Sequence, residues 1–265
     1  MRRRDDEAEL ISVAAEMAAA ARVATLAHFR SSALSADSKE TARFDPVTIA
    51  DREAEAAMRG VLARRRPGDG ILGEEMGAAT GETGLTWILD PIDGTRGYLA
   101  GTPTWGVLIA VADAQGPIYG LIDQPFIGER FEGGFGLSRV TGPTGAHPLA
   151  CRAPRALSDA ILLSTFPEVG TAHEGAAFHR VARAVRLVRY GMDCYGYALL
   201  AAGQVDLVIE AGLQAYDVAA PIAVIEAAGG IVTDWQGQPC HDGGQVIAAA
   251  NAEVHAAALA LLQAS

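Results

Sequence analysis

The stretch 87-WILDPIDGTRGYLAG-101 decides how the rest of the chain is read. Trp87, Ile88 and Leu89 form an apolar run that ends in two carboxylates three positions apart, Asp90 and Asp93. A short apolar run closed by turn formers reads as a strand buried on both faces. Pro91 stiffens the chain between the acids, Gly94 permits close backbone approach, and Thr95 adds a hydroxyl. Acids crowded at a strand end repel one another unless a cation lies between them. Hard divalent ions such as Mg²⁺ take carboxylate and carbonyl oxygens together with water. Backbone N–H groups at Gly94 and Thr95, opening a short helix, are a natural seat for phosphate. The stretch therefore reads as a cradle for metal and phosphate.

Composition narrows what such a cradle can serve. The chain has 265 residues, half of them hydrophobic and 6% aromatic, which is ample length for a sizeable core in one unit or two packed subdomains. A net charge of -11 argues against nucleic acid and anionic membrane surfaces as partners. Cys151, Cys194 and Cys240 are odd in number and lack CxxC spacing, which favours reduced thiols over a disulfide framework or a zinc site. The basic start MRRRDDEAEL runs straight into acids, and no stretch of about 20 uncharged apolar residues is expected to span a membrane. These features predict a cytoplasmic protein.

Outward from the quoted stretch, residues 9–30 and a segment beginning near Thr48 show helical periodicity, separated by the polar loop SSALSADSKETARFD. The second helix stops at Arg64–Arg66 and Pro67-Gly68. GILGEE (70–75) predicts a short strand ending in acids, and residues 105–139 predict strands joined by short turns, hence antiparallel. TGPTGAHP reads as a connector, giving two subdomains, 1–141 and 142–265. Beyond it strands at 161–165, 186–190, 205–209 and IVTDW alternate with helices, one of them over 217–228, as in an α/β layer.

Acids recur at Asp51, Glu74-Glu75, Asp90, Asp93 and Asp217. Singly, each has a plain reading. Asp51 serves as a solvated first-turn acid complementing a helix dipole, and Glu74-Glu75 as a charged loop. Asp217 serves as an N-cap, with Pro221 still in the first turn where its missing N–H is harmless. The six histidines show no metal-ligand spacing and read as surface or core residues. Cys194 reads as a small buried residue, and Tyr98 and Trp105 as packing residues.

GEE (73–75), DPIDGTRGY (90–98) and AYDVAAPIAVIEAAGG (215–230) resemble, in order and spacing, the three signature segments of the inositol monophosphatase family. The resemblance covers nearly the whole chain. It implies a layered αβαβα sandwich, with an antiparallel N-terminal sheet and a mixed C-terminal α/β layer. It also implies a lithium-sensitive phosphomonoesterase using two or three Mg²⁺ ions, with Mn²⁺ as a substitute, and a homodimer. Glu74, Asp90, the Ile92 carbonyl, Asp93 and Asp217 match the family's metal ligands, and Asp51 matches the acid tied to a third, weaker site. Gly94 and Thr95 match the phosphate-binding pair, and Glu74, Thr95 and Asp51 take the catalytic roles. Arg96-Gly97-Tyr98 departs from the family's usual Lys-Asn-Phe.

GVLIAVAD, GLIDQPFIGERF and RLVRYGMDCYGYALLAAGQVDLVIEAGLQAYD resemble the histidinol-phosphatase branch, with Met192 where that branch carries a second glycine. The branch implies L-histidinol phosphate as substrate, within histidine biosynthesis. Histidinol carries an ammonium and a titratable imidazole, so an acidic pocket suits it. Asp193 and Glu210, with Asp93, are the candidate substrate-binding acids. Their plain readings are a loop acid paired with Arg186 or Arg189, and a strand-end acid. Gln124 lines the same pocket or serves a turn. An inositol-1-phosphate or broad sugar phosphatase, and a silent scaffold on the same fold, stay open.

Overall fold

In the computed structural model, which describes residues 4–31, 36–38 and 46–264, two helices open the chain side by side. They are α1 (Arg4–His28) and α2 (Ile49–Arg65). Strands β1 (Ala36–Ser38) and β2 (Pro46–Thr48) pair antiparallel between them. Most of the polar loop expected over 31–45 lies outside the described residues. The pattern Thr48-x-x-Asp51 starts α2 as a capping box: Ala50 N–H donates to the Thr48 hydroxyl, and Thr48 N–H donates to Asp51. The basic last turn of α2 reaches across to α1, where Arg65 pairs with Glu9 and Arg66 with Asp6.

Contrary to the sequence expectation, Asp6–His28 is long and apolar enough, by length and composition, to cross a membrane. Its apolar stripe is already covered: Leu10, Val13, Met17 and Ala21 are buried against α2 and the first sheet.

That sheet contains β3 (Gly70–Gly73), β4 (Gly77–Ala79), β5 (Thr86–Asp93), β6 (Gly106–Asp113), β7 (Gly116–Gln124), β8 (Glu129–Gly134), β9 (Leu137–Gly142) and β10 (Gly145–Pro148). Helix α3 (Thr95–Ala100) leaves from the end of β5. The order is β10-β9-β8-β7-β6-β5-β3-β4, antiparallel except where β3 lies beside β5. Trp87 and Leu89 face α1 and α2 while Ile88 packs into the opposite core. Both faces of β5 are therefore covered, which is why its sequence is continuously apolar rather than alternating. TGPTGAHP is not a connector. It forms the β9–β10 hairpin, with Pro143-Thr144 as a two-residue loop between Gly142 and Gly145.

The remaining strands are β11 (Ile161–Ser164), β12 (Leu187–Tyr190), β13 (Leu207–Gln214), β14 (Ile231–Thr233) and β15 (Gly243–Ala249), ordered β12-β11-β13-β15-β14. β15, absent from the sequence reading, pairs antiparallel with both β13 and β14, whereas β11 is parallel to its neighbours. Helices α4 (Ala172–Ala182) and α7 (Ala252–Leu262) cover the outer face of this sheet. Helices α5 (Asp193–Ala201) and α6 (Ala215–Ala227) lie between the two sheets. The layers run helix, sheet, helix, sheet, helix, an αβαβα sandwich. Every residue of α6 from Val218 to Ile225 is buried, as a helix packed on both sides requires. α6 starts two residues earlier than expected, so Asp217 is its third residue and Gln214 the cap. Pro221 consequently stands inside the helix rather than in its first turn.

Candidate active site

Residues three apart on a regular strand point to opposite faces of the sheet. Between Asp90 and Asp93 the β5–β6 register slips, and that irregularity turns both carboxylates to one place. Asp217 joins them from the first turn of α6, so that Asp90, Asp93 and Asp217 each offer an oxygen within 4.8 Å of the others. Gln214 N–H donates to Asp217 at 2.6 Å, which fixes that side chain against its own helix. Glu74 stands close enough to Asp90 to raise its pKa. Glu74 arrives there because its N–H extends the β3–β5 ladder to the Leu89 carbonyl.

Carboxylates this close cannot all be ionised without a counter-charge. At 4.8 Å and an effective dielectric of about 20, each pair costs about 3 kcal/mol. Burial, then Glu74, Asp93 and Asp217, push Asp90 well above the usual carboxylate range. Burial, then Asp193 and Asp217, do the same for Asp93, against the hydrogen bond from the Cys194 N–H. Protons or a hard divalent cation relieve such a cluster, and an all-oxygen donor set suits Mg²⁺ or Mn²⁺. The residues present fit the ion.

Beside the cluster, the Thr95 hydroxyl lies 3.1 Å from the Ile92 carbonyl and 3.4 Å from Asp51 Oδ1. Asp51 is 1% exposed, so the solvated first-turn role does not hold. Its other oxygen accepts from Thr48 N–H at 2.8 Å and from the Thr48 hydroxyl at 2.5 Å. Burial raises its pKa to about 6, with the Thr48 hydrogen bonds opposing and Glu75 and Glu74 adding. Gly94 has φ +87°, and a Cβ there would stand 2.8 Å from the Asp193 carboxyl carbon. Only glycine serves at this turn.

Asp193 therefore presses on the glycine turn that follows Asp93. Its φ of +45° is a left-handed conformation rare for a side-chain-bearing residue. Its carboxyl lies 3.4 Å from the Thr104 hydroxyl. Burial raises its pKa, while Thr104 and Arg96 oppose the rise. Among the described residues no ion pair joins it to Arg186 or Arg189. Glu210 is buried mid-strand in β13, not at its end, at the point where the β13–β15 register breaks. It accepts from Thr165 N–H at 2.6 Å and the Ser164 hydroxyl at 3.2 Å. Burial pushes it up to about 7, those bonds oppose, and Asp193 adds to the rise. Phe166, next on the same loop, lies under the Arg96 guanidinium at 4.9 Å.

Several contributors were not singled out from sequence: Thr48, Thr104, Ser164, Thr165 and Phe166. Of these Thr48 carried a readable signal, its capping-box spacing to Asp51. Tyr98 and Trp105 pack with Phe29 beneath α3, as expected. Gln124 is fully buried and turned toward Cys194.

Residues 6–265 match the inositol monophosphatase family model. The chain belongs to the inositol monophosphatase family. It is thereby a phosphoric monoester hydrolase, and the family is metal-dependent, typically on Mg²⁺. Among relatives, it is 40% identical over 229 residues to the chloroplastic bifunctional phosphatase IMPL2 of Arabidopsis thaliana, a match covering 82% of this chain and 65% of that protein. It is 36% identical over 249 residues to a histidinol-phosphatase of Streptomyces coelicolor, covering 90% of this chain and 91% of the other. The solved inositol monophosphatase of Zymomonas mobilis superposes with a TM-score of 0.85 at 35% identity, over 99% of this chain and 100% of that one.

Proposed function

We propose that the protein hydrolyses L-histidinol phosphate to L-histidinol and phosphate. The observation that carries this reading is the pair of acids beside the three-aspartate cluster, half-buried Asp193 and buried Glu210. The three aspartates and Glu74 suffice for metal. Two further acids, of which Asp193 raises the proton affinity of Glu210, suit a substrate whose leaving alcohol brings its own positive charge. The S. coelicolor relative supports the same substrate.

In this reading Glu74, Asp90, the Ile92 carbonyl, Asp93 and Asp217 would hold Mg²⁺. When bound, the ion supplies Lewis acidity at phosphoryl oxygen and acidifies water. The Thr95 hydroxyl donates toward Asp51, which leaves its own oxygen to accept from the attacking water. Asp51, with a pKa of about 6, is ionised at neutral pH and able to take that proton. The Gly94 and Thr95 backbone N–H groups hold the phosphate oxygens in line. Glu210, fixed by Ser164 and Thr165, and Asp193 bind the ammonium and imidazole end. The protein works as a cytoplasmic homodimer.

Phosphate release from histidinol phosphate, inositol 1-phosphate and glycerol 2-phosphate, compared side by side with Mg²⁺, tests the substrate. Histidinol phosphate should give the highest kcat/KM. A preference for inositol 1-phosphate would replace this reading with the one carried by the Z. mobilis likeness.

A further inference from the structure

Glu55, one turn after Asp51 on α2, is fully buried, and the proposed chemistry leaves it unused. Its carboxylate reaches the turn that joins β3 to β4. Glu75 N–H donates to Glu55 Oε2 at 2.7 Å, and Met76 N–H donates to Oε1 at 3.1 Å. Arg59, a further turn along α2, donates from Nε to Oε1 at 2.8 Å and from Nη2 to the Gly77 carbonyl. A Cβ on Gly73 would overlap Glu55 Oε1, so the glycine of GEE leaves the space that the carboxylate fills. Glu74 lies between these holds, and its own N–H donates to the carbonyl of Leu89, the residue before Asp90, at 3.2 Å.

Satisfying the turn does not by itself require Glu55. Met76 and Gly77 are exposed and Glu75 is half-buried, so water can take such N–H groups. Withdrawing a carboxylate from water to do the same is costly, and pairing with Arg59 only about offsets that cost. What the buried acid accomplishes is directional. It fixes the two residues after Glu74, while the bond to Leu89 fixes Glu74 itself. The Glu74 side chain therefore leaves a backbone held on both sides.

We infer that Glu55 is a positioning residue of the metal site, holding the β3–β4 turn so that Glu74 stands beside Asp90 before any ion arrives. This role rests on the proposed reading in which Glu74 holds Mg²⁺. Groups that orient a metal ligand from behind typically change metal affinity roughly 10- to 100-fold when removed.

Two measurements without substrate test the role. In metal-free wild type, amide hydrogen exchange should find the Glu75 and Met76 N–H groups protected despite their place on a surface turn. Exchange as fast as in an open loop overturns the positioning role, whatever the variants do. The second measurement is isothermal titration with Mg²⁺ alone. Glu55→Gln, whose amide end turns a donor toward one of the two N–H groups, should weaken Mg²⁺ binding about tenfold or more. Leu62→Ala, a core truncation on the same helix, should lower melting yet bind Mg²⁺ within about threefold of wild type. In a Glu74→Ala background Glu55→Gln should weaken binding no further, because it acts through Glu74. A Glu55→Gln variant that melts lower but binds Mg²⁺ like wild type overturns the role. So does an equal loss of affinity in Leu62→Ala, or an undiminished effect in the Glu74→Ala background. If wild type binds no Mg²⁺, or Glu74→Ala binds it equally well, the metal reading fails and the role with it. The wild-type and Glu74 titrations keep that failure distinct.

Discussion

Glu210→Gln separates substrate recognition from fold stability, because the same carboxylate bears on both in opposite senses. In the folded protein Glu210 titrates near 7 rather than at its ordinary 4.5, chiefly through burial. A carboxyl whose folded pKa is raised contributes stability that is complete below the unfolded pKa and lost as pH climbs through the folded one. Here the window runs from 4.5 up to about 7. Each unit corresponds to about 1.4 kcal/mol, so the loss at alkaline pH is on the order of 1–3 kcal/mol after local relaxation. Glutamine can still accept from Thr165 N–H and donate to Ser164, and it carries no charge to bury. Without Mg²⁺, the variant should therefore melt several degrees above wild type at about pH 8 and close to wild type at about pH 4.5. With Mg²⁺, its kcat/KM for histidinol phosphate should fall about 10- to 150-fold, the worth of one charge-assisted contact. Glycerol 2-phosphate, which offers no cation, should be turned over much as before. Thermal melts across pH, paired with phosphate release on both substrates, decide the matter. A variant that melts lower at high pH, or loses both substrates alike, refutes the reasoning.

Asp93→Asn should abolish phosphate release while keeping the fold, and near-normal turnover at millimolar Mg²⁺ would remove Asp93 from the metal set. Thr95→Ala should lower kcat roughly 10²- to 10⁴-fold with little change in KM, read by steady-state phosphate release. Thr48→Val removes the cap hydroxyl of α2 and one bond to Asp51; melting should report a loss of about 1 kcal/mol, and the acidic limb of the kcat profile should move to higher pH. Added Mg²⁺ should raise the melting temperature, more at about pH 8 than at about pH 5, because protons compete for Asp90 and Asp93 at the lower pH.

The residues that sequence exposed most clearly are those whose chemistry is contiguous. DPIDGT packs a strand end, two acids and a phosphate-type turn into six positions, and the fully apolar run of β5 betrays its two covered faces. Hidden features depend on neighbours far along the chain. Nothing local announces that Asp51 is buried, since a capping acid ordinarily faces water. The left-handed backbone of Asp193 leaves no trace in residue type, because glycine is the usual marker of that conformation. TGPTGAHP misled because Gly and Pro punctuate hairpins and connectors alike. β15 was missed because its strand begins in two glycines and ends in two alanines, Ala248 and Ala249. The Cys194 bond to Asp93 joins residues 101 apart and could come only from the fold.

The two sheets contribute differently to this site. Asp51, Glu74, Asp90, Asp93 and Thr95 are anchored on the first sheet and its helices, whereas Glu210 and the Ser164–Phe166 loop belong to the second. On the proposed reading, the groups that act on phosphate and those that meet the leaving alcohol thus come largely from different halves of the sandwich, with Asp217 of the cluster on α6 between them. On the proposed reading, exchanging the segment from Ile161 to Glu210 with that of a relative would change the surroundings of the leaving alcohol while keeping Asp51, Glu74, Asp90, Asp93, Thr95 and Asp217, and it would also replace Cys194, whose N–H holds Asp93. A family built this way can diversify its substrates by editing one half of the sandwich at a time.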